Sequence, residues 1–195
     1  HFTLAEFNRI MDGLENNSTS DLRNATKDLK EERQQLKRLR RQELMALRRV
    51  PYDIAIERNT WFHLGANSNQ QLLYTLQRML EPIKEHVDNS FTPLSPALCE
   101  EFQPMRRAIN DLMKATADDI DTNKYDNYRE VLAQADACKD ELSVLRKQHI
   151  DRMQANTDAS QLQIDLLYLN VLQESQQLLS NMRHQLRAAK KFMEN

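Results

Sequence analysis

QLQIDLLYLNVLQESQQLLSNMRHQLRAAKKFM, residues 161–193, is the stretch that decides the fold. Its apolar residues recur at alternating steps of three and four, which keeps them on one side of a helix. No Gly or Pro interrupts the pattern. Because one long helix cannot bury such a stripe alone, the rest of the chain must supply helices of matching length. The predicted stripe consists of Leu162, Leu166, Leu169, Leu172, Gln176, Leu179, Met182, Leu186, Ala189 and Met193.

The composition agrees with a helical protein. Only two glycines and five prolines occur in 195 residues, and there are no β-branched runs, so we predict an all-α fold. A formal net charge of -2 argues against nucleic acid as a partner. Cys99 and Cys138 lack CxxC spacing, and we expect reduced, half-buried thiols in a reducing, cytosolic setting. No apolar run approaches the ~20 residues of a membrane span, and a start at His1 without Met is expected of a fragment of a longer chain.

Turn and cap residues divide the chain into six predicted helices. The first covers residues 2–14, and the second begins at an N-cap, Ser20, and ends or kinks at Val50 before Pro51. The third covers residues 53–87, with Gly65 and Pro82 expected to bend it. Residues 88–96 form the clearest loop and separate two halves, about 1–90 and 95–195.

The second half continues as helices joined by short turns. Ser95 is the predicted N-cap of the fourth helix, with Pro96 at its first position, and that helix extends to about residue 121. Residues 121–124 are a predicted turn, and residues 156–158 are the turn before the last helix. Short connections of this kind join antiparallel neighbours, so the prediction is an antiparallel bundle.

A basic stretch occupies residues 30–49, with eight Lys or Arg residues against three Glu residues. One interpretation is a solvated helix face with ion pairs four residues apart. The other is a surface that contacts anionic lipid headgroups, with Arg38, Arg40 and Arg41 as its central residues, each worth about 1 kcal/mol.

Reactive chemistry is hard to find in the sequence. There is no motif for a nucleophile with its base and no glycine-rich phosphate loop, so we do not expect an enzyme. Glu81 and Glu85 share a helix face and His86 flanks it, which could recruit a divalent metal, although such acidic pairs are common on solvated helices. Trp61, with Phe62 and Tyr52, is expected to pack in the core beside a bent helix.

Two parts of the chain, residues 61–94 and residues 167–192, contain stretches that resemble a known family. Residues 61–64, 76–89 and 91–94 are similar to the C-terminal cytosolic region of bacterial sodium/phosphate cotransporter family proteins. Residues 167–176 and 186–192 resemble the closing helix of that family. The resemblance implies a PhoU-like fold of two three-helix halves over residues 1–195. PhoU proteins carry paired carboxylates that collect metal ions; here the equivalent places, around Glu174 and around residues 78–82, depart from the pattern, and we do not carry those sites over.

What the resemblance implies about function is a non-catalytic regulatory or assembly domain of a sodium-dependent phosphate transporter. Its location would be the cytoplasmic face of the bacterial inner membrane, with no cofactor. Its partners would be the transporter's own membrane domain and an anionic lipid surface, and a homodimer stays open. The alternative is a helical sensor or scaffold domain of another inner-membrane protein, such as an exporter or a chemoreceptor.

Overall fold

A computed structural model describes residues 1–47, 52–156 and 158–194, apart from the side chains of residues 43, 46, 47 and 52–58. Within these residues all regular structure is helical, which confirms the predicted all-α fold. The six helices of the described chain are α1 (Phe2–Glu15), α2 (Thr19–Leu47), α3 (Tyr52–Asp88), α4 (Pro96–Thr122), α5 (Tyr128–Ala155) and α6 (Leu162–Glu194).

The helices pack as two sets of three. Each of α1, α2 and α3 contacts the other two, and the same holds for α4, α5 and α6. The two sets meet mainly along α3 and α6, with a smaller contact between α1 and α4. Two polar contacts show that α3 and α6 are antiparallel: Asn181 Nδ2 donates to Thr75 Oγ1 at 3.1 Å, and Arg78 Nε lies 3.1 Å from Glu174 Oε2. The C-terminal end of α6 therefore lies beside the start of α3.

The helix caps agree with the sequence at one place and correct it at another. Ser95 caps α4 as predicted, because its Oγ accepts a hydrogen bond from the Leu98 N–H at 3.3 Å. Ser20 is not the cap of α2, since that helix begins at Thr19 and the Asp21 N–H donates to Ser18 Oγ at 3.3 Å. Asn17, at a φ of 50°, closes α1 so tightly that Ser18 is already in position to start the next helix.

Most helix boundaries lie within two residues of the prediction. α4 continues to Thr122, and Asn123 ends it in the left-handed conformation with a φ of 54°. α3 is continuous through Gly65 and Pro82. The predicted break at Val50 and Pro51 lies outside the described residues, as does the middle residue of the turn at 156–158.

The buried face of α6 differs from the predicted stripe at both ends. Leu162 and Leu166 are each 50% exposed and Met193 is 52% exposed, whereas the centre of the stripe is buried. The cause is that α6 contacts α3, α4 and α5, so its buried face is wider than one stripe and shifted at the ends. The additional buried hydrophobic positions are Ile164, Leu167, Tyr168, Val171, Leu178 and Ala188.

Polar Gln176 joins α6 to α5, which suits the register-setting role expected of a polar residue in an apolar stripe. Its side-chain amide nitrogen donates to the Lys139 carbonyl at 2.8 Å and to Ser143 Oγ at 2.5 Å. Its amide oxygen accepts from Arg146 Nη1 at 2.9 Å. Three hydrogen bonds therefore fix the position of one helix along the other.

Candidate functional site

A groove of about 580 Å³ opens at the end of the bundle where α2 and α6 finish and α3 begins. Its surface is mostly hydrophobic, and residues from four helices, α2, α3, α4 and α6, supply it. We call this concavity the groove; its hydrophobic lining residues are Leu36, Leu39, Trp61, Phe62, Ala66, Leu73, Ile120, Ala188, Ala189 and Phe192.

The aromatic residues expected in the core help to form the groove. Trp61 and Phe62 are half-buried and line it, so the prediction of core packing is wrong for their outward surfaces. The side chain of Tyr52, predicted to join them, lies outside the described residues. Gly65, one turn further along α3, also lines the groove. Because it has no side chain, space remains between its α-carbon and Ala188. Half-buried aromatic rings in a concave surface are typical of binding sites.

One wall of the groove is cationic. Arg33, Lys37 and Arg40 all line it from α2, and their spacing of four and three residues places them on one helix face. Among the described lining residues there is no Asp or Glu. The groove therefore combines a hydrophobic floor with a positive wall.

Neutral side chains hold the two arginines of this wall. Arg33 Nη1 donates to Gln77 Oε1 at 2.6 Å, and its guanidinium lies 4.9 Å from the centre of the Tyr74 ring. Arg40 Nη1 donates to Gln70 Oε1 at 3.4 Å. The pKa of Tyr74 lies below its usual value, chiefly because of its hydrogen bond with Gln70 and also because of the Arg33 charge.

The three residues predicted to bind a metal do not converge. Glu81 and Glu85 are exposed, and Glu81 Oε1 accepts a hydrogen bond from Gln77 at 2.6 Å. His86 is buried; its Nε2 lies 2.7 Å from the Thr92 carbonyl oxygen and its ring packs edge-on against Phe91. Across the described chain no three His, Cys, Asp or Glu side chains lie close enough to hold a metal ion. His86 instead ties the loop after α3 to the end of that helix.

The three arginines predicted to contact lipid do not all lie on the same surface. Arg38, Arg40 and Arg41 are all exposed on α2, but of these only Arg40 lines the groove. Lipid contact by the three residues stays a prediction. None of the helices in the described residues combines the length and the hydrophobicity needed to cross a membrane.

A polar cluster between α4, α5 and α6, with His149 and Tyr168 buried and Arg152 at the surface, has no counterpart in the sequence analysis. Arg152 makes two hydrogen bonds with Glu101, at 2.7 and 2.9 Å, and Tyr168 donates its hydroxyl to the same carboxylate at 2.8 Å. The His149 ring packs edge-on against Tyr168, and its Nε2 lies 2.9 Å from the Asp165 carbonyl oxygen. The Arg152 hydrogen bonds lower the pKa of Glu101, while burial raises the pKa of Tyr168. Because the members satisfy one another, this cluster is a clamp between helices.

The two positions that the sequence analysis compared with the carboxylate pairs of PhoU proteins contact each other between α3 and α6. Glu174 is buried, and Arg78 from α3 supplies its counter-charge at 3.1 Å. Arg78 also donates to Thr75 Oγ1 at 3.1 Å. Since a guanidinium already neutralises the carboxylate, this position does not need a cation from solution.

Both cysteines are free thiols, as predicted, with Cys99 half-buried and Cys138 buried. Burial raises the pKa of Cys138 to about 11 and also raises the pKa of Cys99. Both thiols are therefore poor nucleophiles at neutral pH.

The fold and the groove together define an all-α, six-helix bundle with a positively charged, aromatic-lined surface concavity in its described part. The sequence matches no protein-family model, and neither curated proteins nor solved structures give a match. The resemblance to PhoU-like domains thus depends on the sequence segments quoted above.

Proposed function

We propose that this chain is a regulatory or assembly domain of a sodium-dependent phosphate transporter, on the cytoplasmic face of the bacterial inner membrane. The observation that carries the proposal is the packing of α1–α3 against α4–α6 along α3 and α6. Two three-helix halves are what the PhoU-like resemblance implies, and that packing supports the resemblance independently of the residues that suggested it.

The distribution of polar groups supports a binding role for this domain. Titratable side chains in mutual contact hold helices together, as the hydrogen bonds among Glu101, Arg152 and Tyr168 show. The groove, in contrast, has an open hydrophobic surface and charged groups of one sign. Such a surface recognises a partner or ligand and does not supply the acid and base of a reaction.

The test uses the longest natural chain that contains this sequence, reconstituted in vesicles. We expect phosphate uptake that requires a sodium gradient, and removal of residues 1–195 should change its rate or its dependence on internal phosphate. Absence of sodium-dependent phosphate uptake by the intact chain would contradict the proposal. So would identical uptake by the intact and truncated chains at every phosphate concentration.

The contact with an anionic lipid surface is tested separately. Changing Arg38, Arg40 and Arg41 to Glu should weaken binding to anionic vesicles by more than ~100-fold, since each basic residue contributes about 1 kcal/mol. A matched control changes three other exposed cations of α2, Arg23, Lys27 and Lys30, in the same way. Equal losses in both variants would show that net charge decides binding and would refute a specific lipid surface.

A sensor domain of another inner-membrane protein is the second candidate, and the size of the groove favours it. A volume of about 580 Å³ is that of a small-molecule site, for which ~300–1,000 Å³ is usual. Uptake measurements distinguish the two candidates, since a sensor would bind a ligand in the groove but its parent chain would transport no phosphate.

A further inference from the structure

We infer that the groove is a binding site for an amphiphilic anion, a molecule with one anionic head and a bulky hydrophobic body. A fatty carboxylate is the simplest member of this class. The inference goes beyond the proposed function and does not depend on it, because it follows from the lining of the groove alone.

The hydrophobic part of the lining indicates the body of the ligand. Trp61, Phe62 and Phe192 contribute aromatic surface, and Leu73 and Ala188 close the floor between α3 and α6. The volume equals that of about 19 water molecules at ~30 Å³ each. Water against the hydrophobic floor lacks polar partners there and is readily displaced by a hydrophobic chain or ring.

The cationic wall indicates the head of the ligand. Several arginines that bridge helices elsewhere in the described bundle are paired with carboxylates, whereas Arg146 bonds to the neutral amide of Gln176. The carboxylate pairs include Arg78 with Glu174, Arg106 with Asp12 and Glu15, Arg152 with Glu101, and Arg183 with Asp136. In the groove the partners of Arg33 and Arg40 are the neutral amides of Gln77 and Gln70. These amides orient the guanidinium groups, and neither arginine pairs with a carboxylate among the described side chains.

Lys37, between these two arginines, adds a third positive charge. Its ammonium group makes no ion pair or hydrogen bond with any described residue. Glu81 accepts a hydrogen bond from Gln77 behind the wall, and Glu32 lies next to Arg33 on α2, but neither carboxylate lines the groove. Three cations on one helix face, without a carboxylate among the lining residues, are complementary to an anion.

Trp61 provides the measurement, because it is the only tryptophan of the chain and it lines the groove. The probe is 11-bromoundecanoic acid, whose bromine quenches tryptophan fluorescence on contact. We expect saturable quenching by this acid below its micelle concentration. The matched neutral probe, 11-bromoundecanol, should quench at least about tenfold more weakly, since it lacks the charge that the wall recognises.

Substitutions of α2 test the charge of the wall. Lys37→Gln should weaken quenching by the acid about tenfold, and because Lys37 makes no hydrogen bond or ion pair with a described residue we expect this variant to keep the fold. Changing Arg33, Lys37 and Arg40 together to Gln should abolish it. The control changes Lys30, Arg38 and Arg41 to Gln, which removes the same charge from the same helix outside the groove and should leave the affinity within about twofold.

A second arm separates a free amphiphile from a bilayer lipid. Quenching by the monomeric acid supports a free ligand, and quenching only by vesicles that contain a brominated anionic phospholipid supports the same chemistry with a lipid as its source. The inference is overturned if neither probe quenches Trp61. It is also overturned if the alcohol matches the acid, or if the control triple variant loses as much affinity as the groove variant.

Discussion

The two glycines of the chain make opposite predictions for the same substitution. Gly13 and Gly65 both lie inside helices, and neither has a positive φ, so alanine suits the backbone at both positions. A methyl group at Gly13 would lie 2.6 Å from Leu22 Cδ2 and 2.7 Å from Leu22 Cγ. At Gly65 the nearest atom would be Ala188 Cβ at 3.8 Å, an ordinary contact.

Two opposing effects set the size of the change. Alanine gains up to about 1 kcal/mol over glycine inside a helix, through lower backbone entropy in the unfolded chain and less exposed backbone. Overpacking a core costs about 1–3 kcal/mol, and fully buried Leu22 has no free space to turn into. We therefore expect Gly13→Ala to destabilise the fold by about 1–2 kcal/mol. Gly65→Ala should stabilise it by about 0.5–1 kcal/mol.

Urea unfolding followed by far-ultraviolet circular dichroism measures both variants. The midpoint should move in opposite directions, while the slope of free energy against urea stays constant. A Gly13→Ala variant as stable as the parent would refute the close approach of α1 and α2. The double variant Gly13→Ala/Leu22→Ala adds a check. Once Leu22 is shortened, the overpacking cost of the Gly13 methyl should disappear while the helix-propensity gain of alanine remains, which gives a coupling of about 1–3 kcal/mol.

Three further predictions concern caps, acid stability and thiols. Ser18→Ala should lower the free energy of unfolding by about 1 kcal/mol because it removes the α2 cap, and Ser20→Ala should not; equal losses would contradict the assignment. Because the pKa of Glu101 is lowered in the folded state, its carboxylate stabilises the fold at neutral pH, and this stabilisation is lost as the pH falls through the folded-state pKa. Glu101→Gln should therefore be less stable than the parent at pH 7 and should lose less stability below about pH 4.3. Urea midpoints measured across an acid titration check this. A disulfide reagent at pH 8 should label Cys99 before Cys138. The reason is that a rise in the Cys138 pKa from 9.0 to about 11 lowers its thiolate fraction about 100-fold, and burial blocks access of the reagent. Rapid labelling of both thiols in the native protein would show that the core around Cys138 is open.

The helices and their order could be predicted because their signals are local. A Pro after Ser95, a polar loop at residues 88–96 and an uninterrupted hydrophobic period in α6 each act within a few residues. The α2 cap was assigned wrongly because two nearby residues satisfy the sequence rule for an N-cap. Ser18 and Ser20 both suit a cap, and the choice depended on how tightly Asn17 closes α1.

His86 shows why the metal site was not predictable from spacing. A histidine beside two glutamates on one helix suggests a ligand set, but the ring is buried and already bonded to the Thr92 carbonyl. The neighbouring loop, which folds back over the end of α3, provides that carbonyl. Since the path of the loop depends on tertiary packing, the pattern of residues 81–86 alone could not show which partner the imidazole would take.

The groove is lined by residues more than a hundred positions apart, such as Arg40 on α2 and Phe192 on α6, so no sequence window contains it. Part of its signal was nevertheless available. The sequence analysis grouped Arg38, Arg40 and Arg41 by closeness in the chain, although a helix groups residues three and four apart. Reading the same basic stretch by helical phase selects Arg33, Lys37 and Arg40 beside Leu36, a row of cations along a hydrophobic edge. A charged row that borders a hydrophobic stripe is thus a better sign of a binding wall than a dense basic cluster, because only the row requires that both kinds of surface face the same partner.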